Sequence, residues 1–267
     1  DPAHRAWGGD GPPLVFLHPN GFCAGLFEPL ARRIVGEFRC VGIDLRGHGR
    51  SQAPENGEGL GFSILAADVV ACLDQLKLHC VDLVGQSLGG GVGVLVDALR
   101  PGLVRRMLLC EAVAFPMTRP PDGPNAMADG ARRRRAVWPD RGAMRASYAG
   151  KPPLSELGDE FLDAYLRWGV RDRLDGQVEL ACSPATEAAI FDLSPTGLGA
   201  PAAWAHLPHL SAEVAVVAGN RSFLPMEFFT GQAARVAAPL HQVDGGHFLL
   251  QEDADRAADL VCRLLSS

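Results

Sequence analysis

Short, mostly apolar runs set apart by glycine- and proline-rich turns dominate the hydrophobic pattern of the first part of the chain. These runs cover residues 14–17, 40–43, 81–84 and 107–110. Apolar runs of this length between turn signals are typical of parallel strands buried on both faces. Segments with helical spacing alternate with them, at 26–35, 63–76 (with Ser63 as candidate N-cap) and 92–99. This alternation predicts an α/β fold: a mostly parallel, twisted sheet covered by helices on both faces.

The pattern changes at Pro116, where several prolines follow one another and helical segments continue without a strand. Strand-like runs return at 214–218 and 240–243, and an amphipathic helix closes the chain. We therefore expect a core formed by residues 1–115 and 208–267, with an inserted helical cap at 116–207. One cap helix has an aromatic face that either packs on the core or partly roofs an apolar pocket; this face carries Leu157, Phe161, Tyr165 and Trp168.

Composition narrows the class of protein. No apolar run approaches the roughly 18 residues of a membrane span, and no signal-peptide pattern opens the chain, so we expect a soluble protein without a membrane partner. A formal charge of -6 argues against nucleic acid as the main partner. The run Arg132 to Arg135 is interpreted as a solvated helix face, with an anion-binding or localisation patch as the alternative.

Seven cysteines are scattered singly, without a C-x-x-C pair. Such usage indicates buried small residues in a reducing compartment, so we expect a cytoplasmic protein. It also gives no reason to expect a metal or another cofactor.

The clearest chemical motif is Gly85-Gln86-Ser87-Leu88-Gly89, between an apolar strand and a helix. A serine on such a sharp turn has a strained backbone and an exposed hydroxyl, and the glycines avoid collisions that a Cβ would cause. This context predicts that Ser87 is a nucleophile. His247, on a glycine-rich loop after the last strand, is the candidate general base.

The loop His18-Pro19-Asn20-Gly21-Phe22 follows the first of the buried strands. Loops at this place often supply one backbone N–H to an oxyanion hole, and the residue after the nucleophile supplies another. Asn20 and Leu88 are therefore the candidate donors. We interpret His18 as a structural histidine that fixes the loop.

The stretch from Asp44 to Ser51 and the pair Gly246-His247 add to these motifs. With all of them in place, the chain resembles the α/β-hydrolase family along essentially its whole length. The resemblance implies an eight-stranded, mostly parallel sheet whose first strand this chain could lack. It also implies a triad in the chain order serine, acid, histidine.

The position of the triad acid in this chain departs from the commonest arrangement of the family. That arrangement places an aspartate shortly after the strand that here ends at Gly219. Residues 220–225 contain no carboxylate. Glu111, after the strand that follows the elbow helix, is the candidate acid instead. Asp244 is disfavoured because it is expected to lie within the last strand, and Glu227 because it follows Pro225 into a helix.

The position of Glu111 is similar to that of the acid in haloalkane dehalogenases. Those enzymes use an aspartate where Ser87 stands, so dehalogenation is not implied. Serine hydrolases with a glutamate there, such as the fungal lactonase that opens zearalenone, are a better chemical match.

The sequence therefore predicts a serine hydrolase of a carboxylic ester or lactone of a largely apolar small molecule. C–C bond or thioester hydrolysis, a lyase reaction on the same triad, and a ligand-binding sensor with poor turnover remain alternatives. The candidate substrate-binding residues are Phe22, Gln86, Trp138, Phe161, Tyr165, Trp168, Phe223 and Phe248.

Overall fold

A seven-stranded sheet lies at the centre of the computed structural model, which describes residues 2–54, 58–116 and 124–265. Its strands are β1 (His4–Gly8), β2 (Pro13–Leu17), β3 (Arg39–Ile43), β4 (Val81–Gln86), β5 (Val104–Cys110), β9 (Glu213–Gly219) and β10 (Leu240–Val243). They lie side by side in the order β1-β3-β2-β4-β5-β9-β10. All neighbours pair in parallel except β1, which runs antiparallel to β3 at one edge.

This sheet confirms the predicted α/β fold. Seven strands form it in the described part of the chain, one fewer than the eight of the family, which agrees with the expectation that one strand could be missing here. Strand β1 is the antiparallel strand at its edge.

The short apolar runs are explained by burial on both faces of the sheet. Leu14 and Phe16 of β2 belong to one hydrophobic cluster, whereas Val15 and Leu17 belong to the cluster on the other face. Successive side chains of a strand point to opposite faces, so a strand covered on both sides has no position for a polar alternation.

Helices cover both faces of the sheet. Those of the core are α1 (Glu28–Ile34), α2 (Phe62–Gln75), α3 (Leu88–Leu99), α9 (Met226–Arg235), α10 (Leu249–Glu252) and α11 (Ala254–Leu265). The N-cap of α2 is Gly61, not Ser63, because the Phe62 amide is bound by the Leu198 carbonyl and the helix begins there. The predicted helix at 26–35 divides into a 3₁₀ turn, Ala24–Phe27, followed by α1.

The segment between β5 and β9 is mostly helical. Its helices are α4 (Ala126–Arg132), α5 (Arg141–Tyr148), α6 (Asp159–Trp168), α7 (Pro184–Leu193) and α8 (Ala200–His206). Helix α6 packs against the 3₁₀ turn and α1, so its aromatic face serves mainly as a packing surface.

The expectation that this segment has no strand was wrong. A three-stranded antiparallel sheet, in the order β6-β8-β7, is formed by β6 (Val137–Trp138), β7 (Val170–Asp172) and β8 (Val178–Leu180). Strands of two or three residues are too short to produce a period-two pattern in the sequence. None of the helices in the described ranges is long and apolar enough to cross a bilayer.

Candidate active site

Ser87 lies on a strained turn between β4 and α3. Its backbone has φ 53° and ψ −118°, a conformation that costs a non-glycine residue free energy. A Cβ on Gly85 would come within 2.7 Å of the Gly89 carbonyl oxygen, and a Cβ on Gly89 within 2.1 Å of the Leu17 carbonyl oxygen. The glycines of the motif are therefore required by the close approach of the backbone.

His247 joins Ser87 to Glu111 in one hydrogen-bonded row. His247 Nε2 lies 3.0 Å from Ser87 Oγ, and Nδ1 lies 2.9 Å from Glu111 Oε2. A carboxylate can only accept, so Nδ1 carries the proton and Nε2 presents its lone pair to the Ser87 hydroxyl. All three residues are buried. The three predicted residues are thus brought together, and we call them the candidate triad.

Glu111 directly follows the last residue of β5 and, like Ser87, has a positive φ, 51°. Its side chain is completely buried, and each oxygen is bound. Oε1 accepts from the Gly219 amide at 2.7 Å, and Oε2 accepts from the Ser222 hydroxyl at 2.5 Å as well as from His247. These donors compensate for the loss of water around an ionised carboxylate.

The two rival carboxylates lie elsewhere. Asp244 follows β10, which ends at Val243, so it is outside the strand in which the sequence placed it. It is exposed and pairs with Arg221. Glu227 lies in the first turn of α9, as expected. In the described contacts His247 has Glu111 as its acidic partner.

The two backbone amides predicted to form an oxyanion hole belong to Leu88 and Asn20. Leu88 is the first residue of α3, and a helix leaves its first amides without an internal acceptor. Asn20 belongs to residues 18–22, which we call the oxyanion loop. Among the described residues, no hydrogen-bond acceptor is paired with the Asn20 backbone amide.

Two buried histidines support the oxyanion loop from the core side. His18 Nε2 accepts from the Leu45 amide at 3.0 Å, and His48 Nε2 accepts from the Gly21 amide at 3.1 Å. Burial lowers the pKa of His18 to about 4 and that of His48 to about 3, so both rings are neutral near pH 7. His18 therefore occupies the structural position that was expected of it.

Two phenylalanine rings lie against the histidine of the candidate triad, and two further aromatic rings extend the row. Ring centroids of Phe223 and Phe248 lie 4.7 and 5.2 Å from that of His247, and Phe22 lies 5.2 Å from Phe248. Tyr165 of α6 follows at 5.0 Å from Phe22. These four predicted substrate-binding residues form a continuous row of rings, which we call the aromatic wall, from α6 to His247.

The structure does not bring two of the predicted substrate-binding residues to this wall. Gln86 is completely buried and forms a reciprocal amide pair with Gln251, and its Nε2 also donates to the His247 carbonyl at 3.0 Å. Trp168 donates to Glu28 at 2.5 Å, with the Arg5 guanidinium 3.7 Å from its ring centroid. Gln86 thus fixes the backbone of His247, and Trp168 fixes α6 to α1.

The last two predicted substrate-binding residues, Phe161 and Trp138, are packing residues in the described contacts. Phe161 is completely buried within a core cluster. Trp138 packs edge-on against Tyr148, with centroids 5.4 Å apart, and donates to the Arg135 carbonyl. The sequence could not separate Tyr165 from the packing residues Phe161 and Trp168, because all three are aromatic positions on the same helix, α6.

Sequence reasoning missed a partly buried ion pair beside the oxyanion loop. The interpretation of 132–135 as a solvated face is wrong for Arg134, whose side chain is 21% exposed and pairs with Glu187. Arg132, by comparison, is 50% exposed and pairs with surface aspartates. No local signal distinguishes Arg134 within a run of four arginines. Among the described residues, no group of three His, Cys, Asp or Glu side chains is placed to hold a metal ion.

The chain belongs to the family with the alpha/beta hydrolase fold, whose sequence profile matches residues 12–192. It is 30% identical over 145 residues to a 2-(acetamidomethylene)succinate hydrolase of Mesorhizobium japonicum, covering 54% of this chain and 50% of that protein. It is 32% identical over 111 residues to a putative esterase/lipase of Haemophilus influenzae, covering 39% and 36%. The matches thus span half or less of these relatives.

Solved structures agree with this assignment of the fold. The crystal structure of E-2-(acetamidomethylene)succinate hydrolase superposes with a TM-score of 0.81 at 22% identity, covering 99% of this chain and 94% of that one. The enol-lactonase from Burkholderia xenovorans gives a TM-score of 0.73 at 21% identity, covering 100% and 96%. The named relatives and structural neighbours thus include a succinate-derivative hydrolase, a putative esterase/lipase and an enol-lactonase.

Proposed function

We propose that the protein is a serine hydrolase that cleaves a carboxylic ester or lactone of a largely apolar small molecule. The observation that carries this proposal is the hydrogen-bonded row from Ser87 through His247 to Glu111. A serine hydroxyl bonded to a neutral imidazole, which is itself bonded to a buried carboxylate, is the arrangement that activates an alcohol as a nucleophile.

In this mechanism Ser87 Oγ attacks the carbonyl carbon while its proton passes to His247 Nε2. Glu111 stabilises the resulting imidazolium through the Nδ1–H bond and remains ionised. The carbonyl oxygen becomes an oxyanion that accepts hydrogen bonds from the backbone amides of Leu88 and Asn20. The C–O bond then breaks, and His247 returns the proton to the departing alcohol. Water releases the acyl group by the same steps in reverse, and no cofactor takes part.

The apolar character of the substrate is supported by the aromatic wall beside His247. Pockets for small molecules are mostly apolar and contain a few placed polar groups. The names of the relatives, among them an esterase/lipase and an enol-lactonase, favour carboxylic esters and lactones as the substrate class. We also propose a cytoplasmic location, since all seven cysteines are free thiols.

Covalent labelling tests the nucleophile directly. We expect a fluorophosphonate probe to modify Ser87, and Ser87→Ala to remove both labelling and ester hydrolysis while the melting temperature changes little. The site of modification is read by peptide mass spectrometry. Labelling that persists in Ser87→Ala would place the nucleophile elsewhere.

A substrate panel tests the bond that is cleaved. It contains p-nitrophenyl esters of increasing chain length, lactones of several ring sizes, thioesters and a β-diketone with a cleavable C–C bond. We expect larger hydrophobic esters or lactones to give a higher kcat/KM than acetate esters. A preference for thioesters, for C–C cleavage or for charged acyl groups would overturn the proposal, and labelling without turnover would indicate a sensor.

A further inference from the structure

We propose that Arg134 and Glu187 are positioning residues, which act from the cap to hold the oxyanion loop in the conformation that binds the oxyanion. This inference rests on the function proposed above and assigns to the cap a part in the chemical step. The two residues form a partly buried ion pair that faces the loop, and the described contacts of this pair do not include the candidate triad.

The ion pair is held in one geometry by two tyrosines. Arg134 follows α4 and binds the Glu187 carboxylate of α7 through Nη1. Its Nη2 donates to the hydroxyls of Tyr165 at 3.0 Å and Tyr148 at 3.4 Å. Burial opposes the charge on Arg134, but the neighbouring Tyr165 and Glu187 outweigh it and raise the pKa of the guanidinium further. Arg134 is therefore a permanent cation with several fixed acceptors.

Three consecutive residues of the oxyanion loop contact this cluster. Asn20 Nδ2 donates to the backbone carbonyl of Glu187 at 2.9 Å. Gly21 lies directly under the Glu187 carboxylate, so closely that a Cβ would come within 2.7 Å of the carboxyl carbon. The Phe22 ring packs on Tyr165. The amide of Asn20 thus belongs to a segment that the cap contacts at each successive residue.

The core supports the loop from the opposite side through His48. Its Nε2 accepts from the Gly21 amide at 3.1 Å and lies 3.2 Å from Asn20 Oδ1. The loop is therefore held between a neutral histidine and a partly buried ion pair. Displacement of the loop toward the cap would require Arg134 and Glu187 to separate, which is costly because Glu187 would remain buried without its partner.

This arrangement matters for catalysis because an oxyanion donor acts only when it is fixed before the charge develops. Removal of one donor commonly lowers kcat by about 10² to 10³. A donor that is present but mobile contributes less, because part of its interaction is spent in ordering the loop. The cap would then influence kcat without touching the reacting atoms.

The test compares Glu187→Gln, Arg134→Lys and the exposed control Arg132→Gln. We expect Glu187→Gln to lower kcat for a p-nitrophenyl ester by about 10- to 100-fold with KM changed less than about threefold, because only the transition state uses the oxyanion hole. The affinity for an alkyl boronic acid, which forms a tetrahedral adduct on Ser87, should fall by the same factor. Arg134→Lys should retain part of the activity, and Arg132→Gln all of it.

Hydrogen exchange of the peptide covering residues 18–27 provides a readout that does not need turnover. We expect faster exchange in Glu187→Gln and no change in Arg132→Gln. If Glu187→Gln does not fold, the double variant Arg134→Met/Glu187→Leu removes both charges, and the same fall in kcat is expected of it.

A rise in KM at unchanged kcat would identify the pair as substrate contacts and overturn the positioning role, as would unchanged exchange of the loop. Failure of the proposed function is distinguishable, because it appears in the wild-type protein as the absence of boronic acid binding and of labelling at Ser87.

Discussion

The hydroxyl of Ser222 donates a hydrogen bond of 2.5 Å to Glu111 Oε2, the same oxygen that binds His247 Nδ1. Ser222 lies in the loop 220–225 after β9, the place where the family resemblance led us to look for the acid first. Here that loop contributes the Ser222 hydroxyl, and Gly219 at the end of β9 contributes a backbone amide, to a carboxylate that follows β5. Two neighbouring strand ends thus cooperate in holding one acid.

Glu111→Gln should lower kcat by about 10⁴, because a neutral amide neither fixes the imidazole tautomer nor stabilises the imidazolium. Steady-state hydrolysis of an activated ester and the melting temperature are the measurements. Asp244→Asn is the matched control, since Asp244 is exposed and bound to Arg221. A fall of less than about tenfold in Glu111→Gln would remove Glu111 from the triad.

Ser222→Ala should lower kcat by about tenfold and leave KM nearly unchanged. The lost bond is charge-assisted, and such bonds contribute roughly 1.5 to 3 kcal/mol. Ser194→Ala is the control, because the Ser194 hydroxyl donates to the Ile190 carbonyl at the end of α7. Equal activity of the two variants would show that Glu111 keeps its orientation without Ser222.

Trp168 and Phe223 should respond in opposite ways to truncation. Trp168→Phe removes the bond to Glu28 and should lower the free energy of unfolding by about 1 to 3 kcal/mol without changing kcat/KM. Phe223 is 56% exposed and packs on His247, so Phe223→Ala should leave stability nearly unchanged and raise KM for hydrophobic esters. Urea unfolding and ester kinetics on both variants separate the roles; a kcat/KM defect in Trp168→Phe would contradict the placement.

Because the buried rings of His18 and His48 are neutral, we expect the folded protein to lose stability in acid. Their pKa values in the folded protein, about 4 for His18 and about 3 for His48, are lower than the unfolded value near 6.5. The unfolded chain therefore binds protons first as the pH falls below 6.5. The stabilisation is complete above that pH and declines by up to about 1.4 kcal/mol per pH unit for each histidine toward pH 4.

Urea unfolding between pH 7.5 and 5 measures this decline. His18→Gln should flatten it relative to the wild-type protein, whereas His79→Gln, at an exposed position, should not. Identical slopes in the wild-type protein and His18→Gln would contradict the assignment of a buried neutral ring.

The parts of the site that the sequence predicted are those marked by the local backbone. Ser87 stands between two glycines that a close approach requires, and His247 follows a glycine pair at a strand end. Glu111 could be singled out because the stretch after Gly219 contains no carboxylate. The mostly parallel sheet, covered by helices on both faces, also followed from the short apolar runs, which are typical of strands buried on both sides.

The parts that the sequence did not predict depend on contacts between distant segments. The inward turn of Arg134 is decided by Glu187, 53 residues away, and nothing within the arginine run reflects that partner. Gln86 is directed into a pair with Gln251, which follows it by 165 residues. The very short strands β6, β7 and β8 likewise exist because their partners are present, not because of their own periodicity.

Two residues of the candidate triad are close to each other in the sequence, whereas the third is distant from both. Ser87 and Glu111 follow the paired strands β4 and β5, and the backbone of Ser87 is bound to Cys110 and Val113 on either side of Glu111. His247 comes 160 residues after Ser87. Nucleophile and acid therefore belong to one local strand–helix–strand unit, whereas the base arrives with the far end of the chain. During refolding, recovery of ester hydrolysis would then report completion of the whole fold, later than the appearance of the central sheet.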